Sequence, residues 1–283
     1  MASPKSFIRR IETRLEFEAF RAWGYTLACI YGKGITAYWW REVPNFGDLI
    51  TPLLLRHYGY TPVYECPERA EFVATGSILE VLPADFSGII LGAGFIHERT
   101  RRSFPNATLL AVRGMLTRER LGPMRKTVAL GDPGILASLM MKRQEEKKFV
   151  LGIIPHHESK EKPIIARLVA KLQPDVIIID VKRHPMQVFV AIDQCSHILS
   201  SSLHGLIVAD SLGVPSGWLY SEGMLGGRFK FDDYYSSLGF SPDLPITLTG
   251  TERLGQLVAF TSLKPRDNIE QMKLSLHRLW STF

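Results

Sequence analysis

The sequence predicts an α/β protein built from two Rossmann-like lobes with mainly parallel sheets. Three observations predict it. Short apolar runs of strand type alternate with helical runs along most of the chain, as in parallel sheets whose two faces are both covered by helices. Several strand runs are followed at once by glycine or serine, as in Gly76-Ser77, Gly92-Ala93-Gly94 and Ser200-Ser201-Ser202. Ligands of open α/β sheets bind at such strand ends. A charged stretch over 142–148 then separates two sets of alternating elements. This places a first lobe at residues 1–145 and a second at 146–283, with the last helix a candidate to return to the first lobe.

The elements follow in order. Residues 6–23 set Phe7, Ile8, Ile11, Leu15, Phe17, Phe20 and Trp23 against Arg9, Arg10 and Arg14, the pattern of an amphipathic helix. Such a helix either packs on the protein or lies on a membrane surface. Residues 22–40 are apolar but broken by Gly24, Gly32, Lys33 and Gly34, too interrupted for a spanning helix. Glu12, Glu16 and Glu18 stand where a signal peptide would carry its apolar core. Residues 35–40 read as a strand, 48–58 as a helix, and 72–75, 88–91 and 108–112 as strands. A helix over 115–121 ends at Gly122-Pro123. The second set runs strand 149–154, helix 163–172, strand 176–180, helix 185–195, strand 197–200, helix 203–212 and strand 217–220.

The 283 residues, 46% hydrophobic and 22% charged, suit a globular protein with a sizeable core. The net charge of +6 favours an acidic partner: a phosphorylated substrate, an anionic polysaccharide or a membrane surface. The basic residues are dispersed rather than gathered on one aromatic-interleaved stripe, which argues against nucleic acid. Cys29, Cys66 and Cys195 are widely spaced and odd in number. They read as reduced thiols of a cytoplasmic protein.

Residues 200–210 carry the strongest functional signal. Three serines and His204 lie between an apolar strand and a helix. Serine before a helix caps its N–H groups, and a helix start is a ready phosphate site. His204 falls in the first turn, beside any bound anion, as a group able to exchange a proton. A capped helix with a buried histidine is the alternative. Asn45 and Asp48, around Gly47, precede another helix, where they serve as caps or face sugar hydroxyls. Arg113 ends a strand, and a guanidinium there suits a carboxylate or phosphate. Gly131-Asp132-Pro133-Gly134 is a turn, from which Asp132 could orient a cleft residue. His156-His157-Glu158 has no partner motif and is read as binding no metal; His156 is instead a cleft residue. Residues 226–235 mix two glycines, Arg228, Lys230 and aromatics, and read as an anion-binding lid.

Asn45-Phe46-Gly47-Asp48, Ala74-Thr75-Gly76-Ser77, Val112-Arg113-Gly114, Gly131-Asp132-Pro133-Gly134, Ile154-Pro155-His156, residues 200–205 and residues 228–235 form an ordered set. In order and spacing this set resembles the polysaccharide pyruvyltransferase family, most of all its ketal-forming members of exopolysaccharide biosynthesis. The resemblance covers roughly residues 35–240 and implies a GT-B-like pair of lobes. The implied activity is transfer of pyruvate from phosphoenolpyruvate to two hydroxyls of a sugar, free or in a lipid-linked oligosaccharide, giving a cyclic ketal. No metal or organic cofactor is implied. Work on a lipid-linked acceptor would bring peripheral contact with the cytoplasmic membrane face. By the likeness, Arg113 and the Leu203-His204 turn hold phosphoenolpyruvate, and Gly94, Ser200 and Ser201 line the site. Many family members carry arginine where this chain has Ser202, and Arg228 and Lys230 are the candidates to replace that charge. His204 would be the acid–base group; Asp48 and His156 are the candidates to protonate C3. Two other classes stay open: a GT-B glycosyltransferase using a nucleotide-sugar, and a non-enzymatic polysaccharide assembly protein.

Overall fold

Each lobe is organised by one parallel sheet. The computed structural model describes residues 4–122, 128–144, 146–156, 163–241 and 244–283, with the backbone alone for residues 4–15. The first sheet holds β1 (Gly34–Tyr38), β2 (Thr61–Tyr64), β3 (Phe72–Val73), β4 (Ile89–Leu91), β5 (Thr108–Val112) and β6 (Ala129–Leu130), in the order β2-β1-β3-β4-β5-β6. The second holds β7 (Phe149–Ile154), β8 (Val176–Ile178), β9 (Cys195–Ser200) and β10 (Ser216–Trp218), in the order β10-β9-β7-β8. Every pairing within both sheets is parallel. In each sheet the second strand lies to one side of the first and the third to the other. The switch points therefore fall between β1 and β3 and between β7 and β9, where ligands of such sheets bind.

The expected Rossmann-like alternation is present, and the differences have local causes. β2 contains Pro62, which lacks a ladder donor; the strand survives because it forms the edge of its sheet. The first helix, α1 (Pro4–Tyr31), does not stop near residue 23 but runs through Gly24. A Cβ on Gly24 would lie 3.3 Å from the Val63 backbone, so this glycine allows close packing on β2. Phe17 and Phe20 pack edge-on against Tyr64, and Arg21 pairs with Glu65. Thus α1 packs on the protein over its described side chains, while Trp23, Ile30 and Tyr31 remain exposed. The side chains of Phe7, Ile8, Ile11, Leu15, Arg9, Arg10 and Arg14 lie outside the described residues. Among the described residues, no helix is long and apolar enough to cross a membrane.

The helices α2 (Ile50–His57), α3 (Met115–Arg120), α4 (Pro163–Leu172), α5 (Pro185–Asp193) and α6 (Leu203–Ser211) cover the sheets. The main core crosses between the lobes. Phe46 of the first lobe meets Phe189 of α5 at 6.3 Å between ring centres, and the Phe46 N–H donates to the Val181 carbonyl at 2.8 Å. Residues 229–237 are not a loop: α7 (Phe229–Ser237) buries Phe231, Tyr234 and Tyr235 at helical spacing. After α8 (Leu254–Ala259), the last helix α9 (Arg266–Thr282) lies against the first sheet. There Trp280 stacks on Tyr58 and meets Phe72 edge-on.

Candidate active site

The first switch point delivers Asp48. The chain leaving β1 turns through Asn45, whose Oδ1 accepts the Gly47 N–H at 3.0 Å. This short Asx turn aims Asp48 at the loop after β3: a Cβ on Gly76 would lie 3.2 Å from its Oδ1. Burial pushes the Asp48 carboxyl up to about 6, helped by Asp132 and opposed by His204 and Lys230.

The second switch point delivers His204. Ser201 N–H donates to the Ile154 carbonyl at 2.9 Å, tying the ends of β9 and β7. The capping differs from the sequence expectation. Ser202 is the N-cap residue of α6 but makes no side-chain cap bond. Ser200 Oγ instead accepts from Ser202 N–H and donates to the Ser202 carbonyl, at 3.0 and 2.8 Å. The serines therefore shape the turn, and the first-turn N–H groups of α6 receive no cap from Ser202. Leu203 is buried behind them.

The two switch points meet at the imidazole. His204 is 8% exposed. A Cβ on Gly47 would lie 2.0 Å from its Nδ1 and 2.4 Å from its Cγ, so only glycine lets the first lobe lie against this ring. Phe46 adds an edge-on contact at 6.4 Å. Asp132, fully buried after β6, accepts the Gly134 N–H through Oδ1 at 2.9 Å. Its Oδ2 stands 3.6 Å from His204 Nε2.

Lys230, on the first turn of α7, completes the cluster. It acts electrostatically on Asp48. Burial and the neighbouring Arg113 pull its ammonium down to about 8, with Asp48 acting the other way.

Two expectations need correction. Arg113 is not an open anion ligand: it is wholly buried. Its Nε donates to Asp233 Oδ2 at 2.8 Å, Nη1 to Ser77 Oγ at 2.6 Å, and Nη2 to the Phe95 carbonyl. Gly94 packs on this guanidinium, where a Cβ would lie 2.4 Å from Cζ. Asp233 also accepts from the Thr117 N–H and hydroxyl, so Arg113 brackets α7 to α3. Of the segment 226–235, expected as an anion-binding lid, residues 229–235 lie in α7, which is tied down by the buried Arg113–Asp233 ion pair. Arg228 is half-exposed, pairs with Asp232 at 2.8 Å and lies over Trp218 at 5.5 Å. Sequence reasoning missed Asp233 and Ser77 as the partners of Arg113, and Thr117 as a second donor to Asp233; the residue types were visible, but pairings across 120 and 116 positions were not.

His156 follows β7 at the same sheet end and is half-buried. His157 and Glu158 lie outside the described residues.

Comparison with known proteins now bears on this cleft. The model of the polysaccharide pyruvyl transferase family matches residues 42–223. The chain belongs to the polysaccharide pyruvyl transferase family. The match takes in Asp48, Arg113, Asp132 and His204, and ends before Lys230. The chain is also similar to an uncharacterized protein of Acanthamoeba polyphaga mimivirus, 32% identical over 164 residues, which are 55% of this chain and 56% of that one. A second relative is the succinoglycan biosynthesis protein ExoV of Rhizobium meliloti, 26% identical over 219 residues, 71% of this chain and 64% of that one. The chain thus spans between half and two thirds of the length of these relatives. Membership places the chain in a family described as transferases.

Proposed function

We propose that this protein transfers pyruvate from phosphoenolpyruvate to two hydroxyls of one sugar in an exopolysaccharide repeat unit, forming a cyclic ketal. One observation carries the reading: the switch points of both sheets converge on a single cluster of Asp48, His204, Asp132 and Lys230. Such a cluster pairs groups that exchange protons with a cation for an anionic substrate.

The reaction needs both. His204 takes the proton of a sugar hydroxyl as its oxygen adds to C2 of phosphoenolpyruvate. Asp48, its carboxyl raised by burial, gives a proton to C3, which becomes the methyl group. The second hydroxyl then displaces phosphate from C2; the proton already on His204 leaves with the phosphate, and the second hydroxyl's proton restores Asp48. The C2–C3 π bond, two O–H bonds and the C–O bond to phosphate break; two C–O bonds, one C–H bond and one O–H bond on phosphate form, and no electrons are exchanged with a third party. Lys230 and the first-turn N–H groups of α6 hold the anionic groups, where donors fixed in advance act most strongly. Lys230 takes the part expected of an arginine at position 202. Arg113 acts at one remove, holding α7 so that Lys230 stays in the cleft.

The test supplies purified protein with phosphoenolpyruvate and lipid-linked or free oligosaccharides. Phosphate should be released only with acceptor, and the acceptor should gain the mass of one pyruvate less one water. His204→Ala should stay folded and lose about 10²–10⁴-fold in turnover. Turnover of nucleotide-sugars instead, or near-normal turnover of the His204 variant, would refute the reading.

A further inference from the structure

We propose that Asp132 is a positioning residue that fixes the tautomer of His204, holding its proton on Nε2 and leaving Nδ1 as the nitrogen that exchanges protons with substrate. The exchange itself depends on the function proposed above; the tautomer does not.

Three observations carry it. Asp132 Oδ1 is committed to the Gly134 N–H at 2.9 Å, which fixes the plane of the carboxylate. The other oxygen, Oδ2, is buried and makes no hydrogen bond among the described residues; the same holds for His204 Nε2, 3.6 Å away. Two buried polar atoms facing each other are costly unless they share a proton. The turn that holds the carboxylate is itself walled in: a Cβ on Gly134 would meet Asp132 Oδ1, Ile207 and Ile50 at 3.1, 3.2 and 3.5 Å. A slight approach closes the contact, with Nε2–H donating to Oδ2.

Access then decides the rest. Nε2 is sealed from solvent, so the residual 8% exposure of His204 lies on its other atoms. A substrate hydroxyl cannot reach Nε2 without displacing Asp132. Nδ1 is turned toward Gly47, the residue before Asp48. A neutral imidazole carries one donor and one acceptor nitrogen, and the bond at one fixes the role of the other. With the proton held on Nε2, Nδ1 is the acceptor, on the side where Asp48 follows.

The experiment is nitrogen-15 NMR of histidine-labelled protein, with the His204 signals assigned by their loss in His204→Gln. The wild type should show the Nε2–H tautomer at neutral or higher pH. In Asp132→Asn the Gly134 N–H keeps the amide oxygen in the Oδ1 place. The amide NH₂ therefore faces Nε2 and donates to it, so the proton should move to Nδ1. The variant should also lose at least tenfold in kcat with little change in KM for phosphoenolpyruvate. An Nδ1–H tautomer in the wild type would overturn the proposal, whatever the variant does. An unchanged tautomer in folded Asp132→Asn would overturn it as well. If no acceptor is pyruvylated while the tautomers behave as stated, the reaction assignment falls and the Asp132–His204 arrangement stands.

Discussion

Replacing Gly47 by alanine adds one carbon and two hydrogens, yet it should separate the fold from the chemistry. The added Cβ would stand 2.0 Å from His204 Nδ1, whereas an ordinary contact begins near 3.4 Å. Backbone and ring must therefore part by about 1.4 Å. Gly47 is held by the Asn45 side chain and its neighbour Phe46 by Val181 and Phe189. The imidazole is the softer partner and takes most of the displacement. Misplacing a reacting group by about 1 Å can cost on the order of 100-fold in rate, while overpacking costs about 1–3 kcal/mol of stability. Gly47→Ala should thus keep its far-ultraviolet circular dichroism and melt a few degrees lower, with turnover down about 100-fold. Gly255→Ala, where an added Cβ meets nothing within 4 Å, is the matched control and should behave as wild type. Wild-type turnover in a folded Gly47→Ala protein would refute the idea that this ring, in this place, does the chemistry.

Three further outcomes follow from the same geometry. Lys230→Met should raise KM for phosphoenolpyruvate by about 10- to 100-fold, the loss of one charge-assisted contact of roughly 1.5–3 kcal/mol, and leave KM for the sugar nearly unchanged; equal effects on both would remove Lys230 from the donor site. Arg113→Met should destabilise the protein by about 3–5 kcal/mol in urea unfolding, because Asp233 stays buried without its partner; a loss below about 1 kcal/mol would show that the bracket is not structural. Asp210 is buried against the Tyr234 hydroxyl, and burial pushes its carboxyl from 3.8 up to about 7. The folded state thus binds this proton more tightly than the unfolded chain, so its stabilisation is full below 3.8 and lost as pH rises toward 7. In Asp210→Asn the fall in melting temperature across that window should flatten, and an unchanged slope would refute the assignment.

Much of this was legible in the sequence, for reasons that also explain the failures. The parallel strands are apolar runs such as 89–91 and 149–154, and burial on both faces leaves no polar position to blur the signal. The turns after β1, β3, β7 and β9 were legible because a ligand-facing strand end needs small or polar residues there. β6 was not: at two residues, Ala129 and Leu130 carry no periodicity. α7 was misread although Phe231, Tyr234, Tyr235 and Leu238 repeat at helical spacing, because Gly226 and Gly227 in front suggested a mobile loop. Arg113 illustrates the deeper limit. A guanidinium at a strand end looks the same whether it faces solvent or a carboxylate, and the carboxylate that decides the matter lies 120 residues away. His204 and Asp132 were singled out separately, but nothing linear says that they face each other.

The position of α9 has a consequence for how the molecule is made. Trp280, Leu276 and Met272 are buried against the sheet that β1 to β6 form. The Tyr60 hydroxyl, at the entry to β2, bonds the Phe283 carbonyl. A ribosome would release β1 to β6 long before the helix that seals them. Until residues 266–283 emerge, Phe72 and Tyr58 face solvent or a chaperone, and the nascent first lobe is a sheet without its cover. The small core of Leu151, Ile153, Leu168 and Leu199 needs no residue of α9, whereas the main core joins both lobes. The part translated first is thus sealed by the part translated last, so a truncation at residue 265 should expose the half of the molecule that was translated earliest.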